Sequence, residues 1–430
     1  MHAIIVGAGP AGLAAALALH QQSRESPSSP PIRVTVLEIR PNIETGSQLG
    51  GALILTPLAL RYLDALGVGS KLRQLGCKVS GIRILSHRTG GSLGKLWPGV
   101  DTLSVSRHAI VECMARKVLE ISDGPKVAIR YGVKIAKIEE IGNAVKVHLV
   151  KGGGEKEVIE ADFLLGCDGI HSFVRSNFVD PAREKRYSRR GGAYGDVELD
   201  SAGDVVLSTP AGVPALRDCS MVLGGQGTLV AAYYEPSRTR VYLAAVLSDA
   251  EEKWKDEAKD GRKAAGSEKE TLAKTLERDL FGRFSNARVA GLQNLVSKCD
   301  DWFFDPIFIL EPGGVWSKGR VLLLGDAAHA MPPMGESTGV AIEDGVLLAH
   351  VFSRRAGRSV ETMFADYEAV RREAISKLYK DTMTRWGDGE DWSWMRTVVV
   401  DFAMWAILML INWSSNGQFA RDVRKIKLPS

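Results

Sequence analysis

The hydrophobic pattern changes period twice within the first forty residues. HAIIVGAG opens as an apolar run of strand length that stops at glycines, and PAGLAAALALHQQ follows as an alanine-rich helix. SRESPSSPP (23–31) is polar and proline-rich and cannot continue that helix. RVTVLEIRP then predicts a second strand. Strand, helix and strand in this order form a β-α-β unit, which requires a parallel pair joined by a right-handed crossover.

Further along, TPLALRYLDALG (56–67) carries apolar residues at helical spacing and a glycine stop. SRHAIVECMARKVLE (106–120) predicts an amphipathic helix with Ser106 as its N-cap. From Val127 to Leu165 the chain alternates as VAIRYGVKIAKIEEI, AVKVHLV and EVIEADFLLGCDG, with GGG at 152–154 as a hairpin turn. Residues 183–250 read as β-rich, 251–270 as a charge-dense loop or exposed helix, and ETLAKTLERDLFGRF as a helix. VWSKGRVLLLGDAAHA returns to a strand, and Gly339 to Lys380 and most of the remainder read as helical. No internal repeat is visible. The expected fold class is α/β of mixed α+β character: a doubly wound nucleotide-type domain, an inserted β-sheet domain, and a C-terminal helical extension. The boundaries assign 1–75, 101–182 and 305–370 to the first, 76–100 and 183–304 to the second, and 371–430 to the third.

Composition narrows the functional classes. The chain has 430 residues, 45% hydrophobic and 25% charged, enough for two or three cores. A net charge of +4 is too balanced to argue for a nucleic-acid partner. Five scattered cysteines with no C-x-x-C pair read as reduced thiols of a cytoplasmic protein, and the eight histidines show no ligand spacing, so no metal is expected. The first apolar stretch is glycine-rich and reads as structural, not as a signal peptide. TVVVDFAMWAILMLINW (397–413) is strongly apolar but falls short of the roughly 20 residues of a spanning helix. It is expected as a buried C-terminal helix, with peripheral membrane contact, helped by Arg421, Arg424, Lys425 and Lys427, or a dimer contact as alternatives. The sequence assigns no oligomeric state.

Three motifs carry chemistry. Gly7-x-Gly9-x-x-Gly12 follows a strand and opens a helix, the context that gives this spacing meaning. Gly7 allows the tight turn, Gly9 the approach of a pyrophosphate, and Gly12 close helix–strand packing. The helix N-terminus offers free N–H groups and a partial positive charge to the phosphates. Glu38 closes the second strand 26 residues after Gly12, a position for a ribose-binding acid displaced by the proline-rich insertion. A carboxylate there repels a 2′-phosphate, so FAD or NAD fits better than NADP. LLGCDGIHSFVR ends a strand in Asp168-Gly169, with Arg175 beyond, and VLLLGDAAHA ends one in Gly325-Asp326. Aspartates at strand ends stand where ligands bind in open α/β sheets.

In this order the motifs resemble those of the class A flavoprotein monooxygenases, the group of para-hydroxybenzoate and salicylate hydroxylases. The resemblance covers residues 1 to about 370. It implies that Gly7, Gly9, Gly12 and Glu38 hold the FAD diphosphate and ribose, that Asp168 and Gly169 serve FAD and NAD(P)H, and that Gly325 and Asp326 hold the ribityl and phosphate region. Arg107 matches the arginine that opens the family's second FAD-contacting helix. The implied reaction is NADPH- or NADH-driven reduction of FAD, capture of O2 as a C4a-hydroperoxide, and transfer of one oxygen to a small aromatic or polycyclic substrate. An oxidase or reductase on the same fold is the alternative. The halogenase signature W-x-W-x-I-P is missing from its usual place; the chain's one W-x-W, Trp392 to Trp394, follows the last motif. The proline-rich loop and apolar tail associate the chain with fungal secondary metabolism.

No side-chain nucleophile is implied, and the catalytic loop is taken to be Pro332 to Gly335 beside the isoalloxazine. Members commonly carry Pro-x-x-Gly-Gln-Gly there; this chain has Pro332-Pro333-Met334-Gly335-Glu336-Ser337-Thr338-Gly339. Gly335 and Gly339 let the backbone approach the ring, and Glu336 is expected to point away so that the helix N–H groups face the flavin. His329 is expected to be a packed or capping residue. Arg183, Lys185, Arg186, Arg189 and Arg190 form a basic cluster, read as a solvated loop with attraction of cofactor phosphates as the functional alternative. Tyr194, Tyr233, Tyr234, Tyr242, Trp302 and Phe304 are candidates for core or for a substrate pocket.

Overall fold

Six strands form the central sheet, in the order Ser317–Lys318, Val321–Leu323, Phe163–Gly166, His2–Val6, Arg33–Leu37 and Val127–Arg130. The computed structural model describes residues 1–26, 29–46, 51–121, 124–152, 154–201, 218–249, 267–386, 391–414 and 419–429. The predicted β-α-β unit is present: His2–Val6 runs parallel to Arg33–Leu37, with Ile4 beside Thr35, and the helix Pro10–Glu25 makes the crossover. All strand pairs of this sheet are parallel except that of the short Ser317–Lys318 edge. Its strands are covered on both faces, so Ile4, Ile5, Leu164, Leu165 and Leu322 are fully buried and the sequence shows apolar runs there instead of alternation. The helix Ser337–Phe352 packs against Pro10–Glu25 through Gly345, where a Cβ would sit 2.4 Å from the backbone N of Ala15.

Two segments expected to be continuous are divided. VAIRYGVKIAKIEEI breaks at Gly132, which has φ +68°. Val127–Arg130 joins the parallel sheet, while Val133–Ile141 pairs antiparallel with Ala144–Lys151, itself paired with Lys156–Ala161. The turn between the last two contains Gly154 at φ +84°; Gly153 lies outside the described residues. The helical stretch after Gly339 is two helices, Ser337–Phe352 and Val360–Trp386, separated by SRRAGRS with Gly357 at φ +70°. The anticipated N-cap Ser106 is present, accepting from Ala109 N, and the structure adds Thr56, which caps the helix Pro57–Ala65 by accepting from Ala59 N. Residues 250–266, read as a loop or exposed helix, lie outside the described residues.

The β-rich part is a seven-stranded sheet in the order Phe303–Ile309, Arg186–Glu198, Arg240–Ser248, Gly227–Tyr233, Cys219–Gly224, Ile82–Ser86 and Ser92–Leu96. The parallel pairing of Cys219–Gly224 with Ile82–Ser86 joins residues from two distant stretches of sequence. One core gathers Leu229, Ala231 and Leu243 with Leu280 and Phe284 of the helix Ser267–Phe284. Another gathers Ile82, Ile84, Trp97 and Leu223 with Leu408 of the helix Trp394–Ser414.

That last helix departs from the expectation of burial. Asp401 is buried, accepts from Ser86 Oγ at 2.7 Å and lies 3.3 Å from Arg88, so this charge faces the sheet with its partners. Trp394, Met395, Phe402 and Leu410 on the other side are 65–72% exposed. Among the described residues, no helix is long and apolar enough to cross a membrane. The chain then returns to the first domain: Arg61 donates to the carbonyls of Phe419 and Arg421, and Val423 N donates to Tyr62 Oη.

Candidate cofactor site

Four parallel strands end at motif residues on one edge of the central sheet: His2–Val6 at Gly7, Arg33–Leu37 at Glu38, Phe163–Gly166 at Asp168, and Val321–Leu323 at Asp326. This is the carboxyl edge where open α/β sheets bind ligands. Gly7 has φ +102°, and a Cβ there would fall 2.5 Å from Cys167 O; one on Gly12 would fall 2.0 Å from Gly7 O. Both positions therefore exclude a side chain. At Gly9 a Cβ would meet nothing within 4 Å, and no side chain caps the helix that starts at Pro10. The result is an open cradle with free N–H groups at a helix start, suited to a diphosphate.

Glu38 lines this cradle at 5% exposure. Its Oε2 accepts from Ala8 N at 2.7 Å, and its Oε1 accepts from Arg40 N and Arg40 Nε, each at 2.9 Å. Burial alone would raise its pKa, but the hydrogen bonds and charge of Arg40 together with the Ala8 N–H hold it below the usual carboxylate range. Arg40 escaped the sequence reading because it looks like any charged residue after a strand.

The second and third motifs are stitched together. Asp168 accepts from Ser172 Oγ at 2.5 Å and Val174 N at 3.1 Å, while burial pushes its carboxyl up. Gly169 has φ +76° beside open space. Arg175, 3% exposed, donates to Ile170 O at 2.7 Å and to Ala327 O at 3.1 Å, spanning from the Asp-Gly turn to the short helix Asp326–His329. Asp326 starts that helix after Gly325, which has φ +60°. Burial pushes the Asp326 carboxyl up, opposed first by the charge of Arg107, which stands exposed at the start of the helix Arg107–Leu119. The structure thus brings the residues of the three motifs and Arg107 to one place.

The loop that follows has Pro332 buried and Gly335 exposed, at φ +89° with nothing within 4 Å of a Cβ. Gly339 instead packs on Ala59. Glu336 lies 3.5 Å from Arg385 on the helix Val360–Trp386, and its side chain does not cap its own helix. His329 is buried, with Nε2 2.8 Å from Asp344 Oδ2 and its ring against Trp316, so it is a packing residue.

The FAD binding domain family matches residues 1–309 and 314–382. The chain belongs to this family of flavoproteins. Its curated relatives include a 6-hydroxynicotinate 3-monooxygenase of Pseudomonas fluorescens, 25% identical over 91% of both chains. They also include a phenazine 1,6-dicarboxylic acid hydroxylase of Lysobacter antibioticus, 28% identical over 89% of both. Among solved structures, the Klebsiella pneumoniae HpxO complex with FAD and uric acid superposes with a TM-score of 0.72, at 22% identity over 96% of this chain and 95% of that one. A salicylate hydroxylase substrate complex gives a TM-score of 0.71, at 17% identity over 100% and 98%. The flavoprotein is a class A FAD-dependent monooxygenase, as its motif order anticipated. The cradle at Gly9, the free N–H groups and the edge of strand-end carboxylates fit FAD.

The basic cluster of this flavoprotein corrects the expectation of a solvated loop. Arg183 is half-buried, donates to Ala328 O at 2.7 Å, and burial pushes its pKa down to about 10. Lys185 lies 4.4 Å over the Phe308 ring, and Arg190 lies 4.7 Å over Trp386. Arg186 and Arg189 remain exposed. Of the aromatic candidates, Tyr233, Tyr242 and Trp302 are buried, while Tyr194, Tyr234 and Phe304 are partly exposed. Tyr242 Oη packs against Gly51, where a Cβ would fall 2.6 Å from it, and Gly51 O accepts from Arg107 N at 2.9 Å, so the seven-stranded sheet meets the start of the helix Arg107–Leu119 there.

Proposed function

We propose that this flavoprotein hydroxylates a small planar aromatic or polycyclic natural product, using NAD(P)H and O2. Residues 1–75, 101–182 and 305–370 form the FAD side, and 76–100 with 183–304 form the substrate side. The observation that carries the reading is the junction at Gly51, whose carbonyl accepts from Arg107 N at 2.9 Å and against which Tyr242 Oη of the seven-stranded sheet packs, with Tyr194 on the neighbouring strand. Burial, with Asp305 next, pushes the Tyr194 phenol up to about 12, and burial also raises Tyr242. A phenol is a neutral donor at neutral pH and burial reinforces this, so each tyrosine offers an aromatic body with a polar tip, a combination that orients a planar ligand with polar substituents. The curated relatives named above act, by their names, on a hydroxynicotinate and a phenazine dicarboxylic acid, both planar heteroaromatics.

Bound FAD supplies hydride acceptance from NAD(P)H and activation of O2 at C4a. Gly7, Gly9, Gly12 and Glu38 would hold its adenosine diphosphate half, and Arg107, Asp168 and Asp326 its ribityl half. Gly335, with open space beside it, would let backbone approach the flavin ring, and the start of the helix Ser337–Phe352 would favour negative charge there. The exposed Arg186 and Arg189 attract the phosphates of NAD(P)H.

The test is a panel of aromatic, indole and isoprenoid compounds, scored by NADPH and NADH oxidation, O2 uptake, peroxide and hydroxylated product. An aromatic member is expected to accelerate NAD(P)H oxidation and to yield hydroxylated product in proportion. Peroxide equal to NAD(P)H consumed, with every compound, points to the oxidase alternative and rejects the reading.

A further inference from the structure

Beneath the Gly325–Asp326 turn lies a buried ion cluster assembled from four distant parts of the chain. Glu343 and Asp344 are both fully buried, and Arg371 is 1% exposed. Asp344 Oδ2 accepts from Gly325 N at 2.8 Å, and its Oδ1 accepts from Arg371 Nε at 2.7 Å. Arg371 also donates to Glu343 Oε2 and to Val340 O. Glu343 Oε1 accepts from Tyr62 Oη at 3.1 Å and from Arg421 Nε at 3.0 Å. Arg421 belongs to the C-terminal tail, which is tied down beside it through Arg61 and Tyr62. The carboxylates of Glu343 and Asp344 are thus matched by the guanidiniums of Arg371 and Arg421.

The placement has a consequence for the turn. Gly325 holds φ +60° and ψ −142°, a conformation open to glycine and closed to residues with a Cβ, and it directs the Gly325 N–H at Asp344. Asp344 is the acceptor that takes its N–H, and the same carboxylate lies 2.8 Å from His329 Nε2 at the far end of the short helix. Both ends of the Asp326–His329 helix therefore hang on Asp344. The grip of Arg371 on Asp344 depends in turn on what else Arg371 must neutralise. Glu343 has no solvent contact, so without Arg421 its charge falls on Arg371 alone.

We propose that Asp344 is the positioning residue that holds the Gly325–Asp326 turn in its FAD-binding geometry, and that Arg421 of the C-terminal tail maintains the charge balance that keeps Asp344 in place. The proposal rests on the reading that Asp326 faces the ribityl half of FAD. The tail is then a part of the cofactor site at one remove, through the path Arg421, Glu343, Arg371, Asp344 and Gly325.

The experiment titrates FAD-free protein with FAD by flavin fluorescence and with ADP by calorimetry, for the full chain and for R421M, E343Q/R421M and D344N. R421M leaves two buried carboxylates with one guanidinium and is expected to raise the FAD dissociation constant about tenfold or more. E343Q/R421M restores the balance and is expected to return within about threefold of the parent chain. D344N is expected to weaken FAD about tenfold or more while changing ADP less than about threefold, because ADP sits at the glycine motif. R421M that binds FAD like the parent, or a double variant no better than R421M, overturns the charge-balance role. So does failure of both variants to fold, whereas folding of the double variant alone supports it. D344N that weakens FAD and ADP equally overturns the positioning role. A parent chain that binds ADP but not FAD would instead reject the cofactor reading itself.

Discussion

Glu38 serves two purposes with one carboxylate: it orders Ala8 and Arg40 around the glycine loop and presents an acid at the end of its strand. Its folded pKa lies below 4.5, held there by Arg40 and the Ala8 N–H against the effect of burial. Its stabilisation is therefore full above pH 4.5 and is lost as pH falls through the folded value. Glu38→Gln is expected to flatten the acid limb of a thermal-melting pH profile and to weaken FAD about tenfold. An unchanged acid limb in differential scanning fluorimetry would reject the first part. Glu336, by contrast, lies near Arg385 and leaves its helix N–H groups free. Glu336→Gln is expected to leave FAD affinity intact and to move the flavin potential by less than about 30 mV, the equivalent of tenfold in a two-electron equilibrium. A redox titration with a larger shift would mean that the carboxylate faces the flavin.

Elements pack here through a few decisive contacts. Ala15 and Gly345 let two long helices approach closely, and Gly345→Ala puts a methyl 2.4 Å from a backbone nitrogen. It is expected to destabilise the protein by about 1–3 kcal/mol in a denaturant melt. The last helix divides its residues sharply. Leu408 is 2% exposed against the sheet, so Leu408→Ala is expected to destabilise by about 2–5 kcal/mol. Phe402 is 69% exposed, so Phe402→Ser is expected to stay within about 0.5 kcal/mol. Similar losses for both would mean that the exposed face is covered in solution. The sequence showed this helix as a uniform apolar run, because a partnered Asp401 and an open outer face leave no periodic polar stripe.

Across the whole molecule, the cofactor edge and the seven-stranded sheet meet at Gly51, between Arg107 N and Tyr242, and the proposed function makes the two binding steps separable there. Tyr194→Phe is expected to raise the substrate KM about tenfold, the worth of one hydrogen bond, with the FAD dissociation constant unchanged. Loss of FAD in the same variant would show that Tyr194 belongs to the cofactor side.

The sequence by itself determined the β-α-β start, the order of the three motifs, the mixed α/β fold and the flavoprotein family. The fold rests on local physical demands, glycines where a Cβ has no room, as at Gly7 and Gly12, and apolar runs where both sheet faces are covered, and the family on the resemblance that the motif order carries. Only the tertiary structure decided the rest. It halved VAIRYGVKIAKIEEI between two sheets, turned a basic loop into half-buried contacts with Ala328, Phe308 and Trp386, and set Arg371 and Arg421 against Glu343 and Asp344. Charged residues read as surface in a sequence because their neighbours in the chain are polar. The partners that bury them, here Tyr62, Arg371 and Arg421, are far away along it, and no spacing records them.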